Sequence, residues 1–344
     1  MTSIIALSAV LGLAAYWDTP AADVPQAEIS NGQLRAKLYL PDVHRGYYRG
    51  TRFDWSGVIA AFEYQGHNYY GPWYQRVDPR VHDFEYEGAE IVASTCSGIS
   101  GPVEEFTTNN SALGFDEAAV GGTFIKIGVG VLRKDGAEYD YVKQYEIVNP
   151  GRWTVEARGD SVNFTQELSD PATGYGYIYH KTVRLIPGKP EMVLEHSLKN
   201  TGRRTIQSSV YNHNFLVLDH QAPGPDYSVK VPFQIHSPHP PDKNLAEIRG
   251  NQFVYLKTLA NQDVAFCPLL GFSDRPQDNE IRIENHRVGA GMVIHGNRPL
   301  SDLHLWSIRS VLSVEPFISM TIEPGSEFAW EQSYQYYVLA PTSK

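Results

Sequence analysis

The chain has 344 residues, enough for one large β domain or two ordinary ones, and its 42% hydrophobic and 20% charged residues exclude a disordered polymer. Its net charge of −10, from 29 basic and 39 acidic residues with no Lys/Arg cluster, argues against nucleic acid or an anionic membrane surface and favours a neutral ligand. The two cysteines, Cys96 and Cys267, are far apart and fit either a disulfide or two buried thiols.

In chain order, the apolar run 4–15 is too short to span a bilayer. It matches the core of a secretory signal, with Ala14, Ala15, Ala21 and Ala22 as small residues nearby, but no Lys or Arg precedes Arg35. Residues 1–27 are therefore expected to be a signal peptide or a disordered tail. The first reading implies a secreted or periplasmic protein and the second a cytoplasmic one. Asn109 and Asn163 open Asn-x-Ser/Thr sequences that would carry glycan only in a eukaryotic secretory pathway.

From residue 28 the pattern is strand after strand. Segment 28–40 reads as a strand pair around Asn31-Gly32, and 58–70 as a hairpin turning at Gln65-Gly66. Strands are expected at 124–132 and 141–148, then at 153–157 and 162–168 around Gly159-Asp160. The series continues at 175–185, 192–198 and 205–218, and further at 253–256, 280–284, 291–295, 303–308, 312–322 and 328–338. A short helical turn is expected at 114–119, and the Pro-rich 236–241 segment reads as a loop. Fifteen or more strands without a break predict one all-β domain over 28–340, a large antiparallel two-sheet β-sandwich.

Two strand-like runs carry residues suited to acid/base chemistry. Around Glu315 the alternation puts Leu312, Val314, Pro316, Ile318, Met320 and Ile322 on a core face. Ser313, Glu315, Phe317, Ser319 and Thr321 share the other, facing a concave surface or solvent. Pro316 holds Glu315 extended and removes a ladder donor, predicting an irregular or edge position. Around His213, Tyr211, Phe215, Val217 and Asp219 share one face, while Asn212 and Asn214 face the other way.

These residues carry a resemblance. The Asn212-His213-Asn214-Phe215 segment is similar to the Asn-His-x-x-Phe-like motif of the aldose 1-epimerase (galactose mutarotase-like) superfamily. Val314-Glu315-Pro316, then Pro324-Gly325-Ser326-Glu327 and the final strand, resemble that family's late glutamate and Pro-Gly-Glu-like turn. The Val-Glu-Pro wording is closer to the hexose-6-phosphate epimerase-like branch. The resemblance implies a galactose mutarotase-like sandwich that interconverts the anomers of a free aldose or sugar derivative. It also implies that Glu315 is the general base on the anomeric hydroxyl and His213 the general acid on the ring oxygen, with no metal or organic cofactor. A carboxylate close by would favour the imidazolium an acid needs. For substrate binding it offers Asn212 from the motif, Arg52, Arg76 and His82 as positional counterparts of the family's early Arg and His, and Asp274 for its aspartate.

Trp306, Trp73 and Tyr179 are candidate surfaces for the C–H face of a sugar, core packing being the commoner role for each. Glu104 and Glu105 are candidates for binding sugar hydroxyls, a charged loop being the commoner role. His236 and His239 are spaced to ligate a metal but sit in a loop, and no metal site is assigned. Two other readings stand beside the epimerase: a non-catalytic carbohydrate-binding protein, and a polysaccharide lyase or hydrolase on the same sandwich. All three take a small sugar or oligosaccharide as partner, and nothing in the sequence sets an oligomeric state. Convergence of His213 and Glu315 on one small pocket would favour the first, and an open cleft the last.

Overall fold

In the computed structural model, which describes residues 23–340, antiparallel strands form the chain's framework. The apolar run 4–15 lies outside the described residues. Two sheets make the body. The larger has ten strands, in the order Arg152–Ala157, Ser161–Asp170, Tyr175–Leu185, Glu191–Asn200, Glu327–Val338, Ala290–Gly296, Glu280–Asn285, Tyr227–Lys230, Gln252–Tyr255 and Ala246–Arg249. The smaller has five, in the order Ala265–Pro268, Asp302–Ile308, Val311–Ile322, Ile206–His213 and Val103–Thr107.

The period-2 pattern of these strands explains why the sheets stack. Leu194 and Ile294 of the large sheet share a core with Leu303, Leu305 and Val314 of the small one. At the other end Tyr177, Tyr179, Leu198 and Trp330 meet Phe106, Val210, Ile318 and Met320. A four-stranded sheet of Gln26–Ser30, Leu34–Tyr39, Val58–Tyr64 and His67–Asn68 adds Ile29, Leu38 and Phe62 to the first of these cores. A third apolar cluster, with Phe53, Trp73, Phe215 and Ile308, lies over part of the outer face of the small sheet. Among the described residues, no helix is long and apolar enough to cross a membrane.

The sandwich is the architecture the alternation predicts, with local corrections. The run 124–132 is a hairpin, Thr123–Lys126 and Gly130–Arg133. It turns at Gly128, whose φ of +79° suits glycine and whose missing side chain admits Asp54: a Cβ there would lie 2.7 Å from Asp54 Oδ1. Of 141–148 only the end forms a strand, Ile147–Asn149. The strand expected through residue 218 ends at His213. The segment 114–119 makes one turn, Ala118 N–H donating to Gly114 O at 3.2 Å, and does not extend to a helix. Cys96 and Cys267 are buried free thiols with separate partners, Thr51 and Gln144 for the first and Ser237 for the second.

Candidate functional site

The ladder between Ile206–His213 and Val311–Ile322 pairs Tyr211 with Phe317, and resumes at a bridge between Leu216 and Leu312 in the same register. That register sets His213 across from Glu315, and Glu315 is paired on its other side with His304. Pro316, with no N–H, sits in the gap between the two stretches of ladder. Asn214 bridges it, its Nδ2 donating to Val314 O at 2.7 Å and its Oδ1 accepting from the Tyr334 hydroxyl at 2.9 Å. The irregularity predicted from Pro316 is therefore real, although its strand is central. Alternation sends His213, Glu315, His304, Trp306, Tyr211 and Phe317 to the outer face. There they line a cleft of about 740 Å³. His213 Nε2 and Glu315 Oε1 are 3.7 Å apart, and both residues are buried.

Gly101 is required where the chain passes behind this pair. A Cβ at that position would overlap the carbonyl oxygen of His213 and lie 2.7 Å from Phe215 N. The His213 ring is wedged between Phe53, edge-on at 4.8 Å, and the Tyr211 and Phe215 rings at 4.6 and 5.2 Å.

Arg52 enters from the loop before Val58–Tyr64. That loop is pinned by Trp55 Nε1 donating to Gly50 O and the Tyr48 hydroxyl donating to Cys96 O, both at 2.8 Å. Arg52 Nε donates to Glu105 Oε2 at 2.9 Å, Nη2 reaches His213 Nε2 at 3.3 Å, and the Tyr141 ring covers the guanidinium at 4.6 Å. Glu105 also accepts from Lys126 Nζ at 3.2 Å and the Tyr211 hydroxyl at 2.8 Å. Burial opposes its charge, but Arg52 and Lys126 outweigh that and hold its carboxyl down to about 2. Glu105 is thus a fixed anion.

The central pair behaves otherwise. Burial pushes Glu315 up to about 7, with the Ser313 hydroxyl, Arg52 and His304 only partly opposing. Burial and then the Arg52 charge push His213 well below the ordinary imidazole range, against the pull of Glu105. The expectation that a nearby carboxylate would charge His213 is corrected: Glu105 is already committed to two cations, and Arg52 repels an imidazolium. Burial also disfavours charge on His304, but its contact with Asp302, Nε2 to Oδ2 at 3.1 Å, outweighs this and raises it.

Of the binding residues expected from sequence, Arg52 and Trp306 line the cleft. Trp73 does too, its ring 6.0 Å from that of Trp306. Asn212 points to the opposite side of its strand, its Nδ2 donating to Glu104 Oε1 at 2.9 Å inside the sandwich. Tyr179 is also interior, its hydroxyl donating to Asp54 Oδ2 at 3.0 Å. Arg76 is an ion-pair partner of Asp78 and Glu87 on a small outer sheet. His82 is an exposed partner of Asp140 at 2.7 Å, and Asp274 lies exposed in a loop; neither lines the cleft. Among the described residues, no group of three or more His, Cys, Asp or Glu side chains is placed to hold a metal ion.

Sequence reasoning missed Lys126, Asp302 and His304, and favoured a charged loop for Glu105, which is buried in a strand. Strand alternation was the available signal. Asp302, His304 and Trp306 alternate with Leu303 and Leu305, and Val103-Glu104-Glu105-Phe106 is a short strand in which both glutamates are buried.

No family model matches the chain, and no curated protein matches it by sequence. Solved structures do match. A protein from Synechocystis sp. PCC 6803 superposes with a TM-score of 0.54 at 13% identity, over 92% of this chain and 97% of that one. A galactose mutarotase related enzyme from Lactobacillus acidophilus gives 0.54 at 12% identity, over 93% and 99%. A protein from Escherichia coli K12, provisionally assigned as an aldose 1-epimerase, gives 0.51 at 11% identity, over 92% and 100%. These likenesses show the fold: a galactose mutarotase-like β-sandwich.

Proposed function

We propose that this galactose mutarotase-like chain interconverts the anomers of a sugar by acid/base opening and closing of its ring. The observation that carries the reading is the pairing of His213 and Glu315 at 3.7 Å on the floor of the cleft. Ring opening needs one group at the anomeric hydroxyl and one at the ring oxygen, two oxygens on the same carbon. Two proton carriers less than 4 Å apart suit that demand better than one requiring groups on opposite faces of the sugar. Glu315 near neutrality and a neutral His213 are each able to change protonation at modest cost. Trp306, Phe317 and Tyr141 offer ring faces to a sugar, beside the polar Asp83, Asp302 and Ser319.

Polarimetry on freshly dissolved aldoses tests this. Wild type is expected to speed equilibration, and Glu315→Gln and His213→Asn each to lose it by roughly 10²–10⁴-fold. Equal rates with and without wild-type protein on every aldose and aldose derivative tried would refute the reading. One observation favours a binding-only alternative: Arg52 occupies the His213 nitrogen that would move a proton. Sugar binding by NMR titration without anomer exchange would establish it.

A further inference from the structure

A ring-opening pair needs one member holding a proton at rest and one able to take one, and the arrangement around Arg52 decides which is which. A guanidinium has donors and no acceptor, and it stays charged. With Arg52 Nη2 at 3.3 Å, His213 Nε2 makes a hydrogen bond only by offering its lone pair. The ring proton then belongs on Nδ1, which is buried with no hydrogen-bond partner.

The other groups around His213 do not reverse this. Phe53 from the Arg52 loop, and Tyr211 and Phe215 from its own strand, present aromatic rings. Glu105 on the adjacent strand, 3.9 Å away, is engaged by Arg52, Lys126 and Tyr211. Lys126 and His304 both disfavour an imidazolium. Asp83, 3.7 Å from Arg52 Nη1, acts on the guanidinium rather than on the ring. Glu315 remains: Arg52, His304 on the neighbouring strand and the Ser313 hydroxyl favour its carboxylate, but burial outweighs them and Glu105 adds to it, and its nearest ion-pair partner is His213 itself.

We propose that Arg52 is a positioning residue that holds His213 as a neutral imidazole with its Nε2 lone pair toward the cleft, so that His213 is the resting proton acceptor and Glu315, as the carboxylic acid, the resting proton donor. This rests on the ring-opening reading and reverses the roles implied by the resemblance. On binding, the anomeric hydroxyl takes the place of the Arg52 N–H at Nε2. Nε2 accepts the hydroxyl proton, the O–H electron pair forms the C=O bond, and the bond from C1 to the ring oxygen breaks. The ring oxygen takes the proton of Glu315. After rotation about C1–C2 the ring oxygen attacks C1 and returns its proton to the Glu315 carboxylate, while the carbonyl oxygen recovers a proton from His213. No atom or electron is gained or lost.

The test is ¹⁵N NMR of histidine-labelled full-length protein from pH 5 to 8 without sugar, with His213→Asn assigning the signals. The wild-type His213 is expected as the Nδ1–H tautomer, Nε2 unprotonated, throughout that range. In Arg52→Gln its titration midpoint is expected to rise by roughly 1–3 pH units, and Arg52→Lys, which keeps the charge, to restore most of the shift. An imidazolium or an Nε2–H tautomer in wild type at pH 7 would overturn the proposal. So would a midpoint unmoved in a folded Arg52→Gln. If that variant does not fold, the wild-type tautomer decides alone. Because no turnover is read, this result separates from polarimetry: anomer exchange with a cationic His213 sinks the role assignment and keeps the function, and a neutral His213 without anomer exchange sinks the function and the roles with it, leaving only the Arg52-held tautomer.

Discussion

Each ionisable group in the cleft has been fixed by burial and by the company it keeps. Glu105 and Glu315 differ in their partners: two cations touch the first, while Arg52 and His304 act on the second only at longer range. Glu315 therefore costs stability when ionised. Its folded-state value near 7 lies above the ordinary carboxylate value, so the folded chain binds more protons between about pH 4.5 and 7. Its contribution is fully present below that window and is lost as pH rises through it. Glu315→Gln is expected to be near neutral at pH 4.5 and stabilising by about 3 kcal/mol at pH 8, read from urea denaturation at both values. A stability difference independent of pH would contradict the burial argument. A gain in stability with a loss of turnover is the usual mark of a strained functional group.

The elements that carry the site were unequally legible. The Glu315 and Ile206–His213 strands alternate strongly, so their faces, and the divergence of Asn212 from His213, follow from the sequence. Val103–Thr107 did not read as a strand because two adjacent glutamates suppress strand propensity. What makes them tolerable lies 21 and 77 residues away: Lys126 for Glu105 and Lys181 for Glu104. A buried charge is stable only with its partner, and such pairing at long range is invisible to local pattern. The same limit hid the roles of Arg52, whose loop has no periodicity, and of Arg76, His82 and Asp274, placed only by position. Inside the sandwich, fully buried Lys181 holds Glu104 and Ser56 O and lies 3.8 Å from Asp54. Lys181→Met is expected to cost roughly 3–5 kcal/mol by chemical denaturation. Adding Glu104→Gln, which removes the charge and keeps an acceptor for Asn212 and His196, is expected to recover part of it, since the remaining Asp54, pushed up by burial to about 6 even with Lys181 present, can keep its proton. No recovery would mean that packing, not charge, is what Lys181 supplies.

For the whole molecule, the two large sheets share their cores and neither has an apolar face of its own to spare. Thermal unfolding of 28–340 is therefore expected as one cooperative transition, with calorimetric and van't Hoff enthalpies in agreement; two resolved transitions would mean separable units. The sandwich also sets how the chain can change over time. Glu104 and Glu105 stand back to back on one backbone, the first turned to the interior and the second to the cleft. Deleting a single residue just before Val103 would slide Glu105 to Lys181 and leave Lys126 facing Phe106, and inserting one there would slide Glu104 to Lys126 and leave Lys181 facing Val103. Substitution can reshape the cleft rim position by position, but this strand is locked in length. A lineage built on this chain would keep the length of this strand longest, whatever the cleft came to hold.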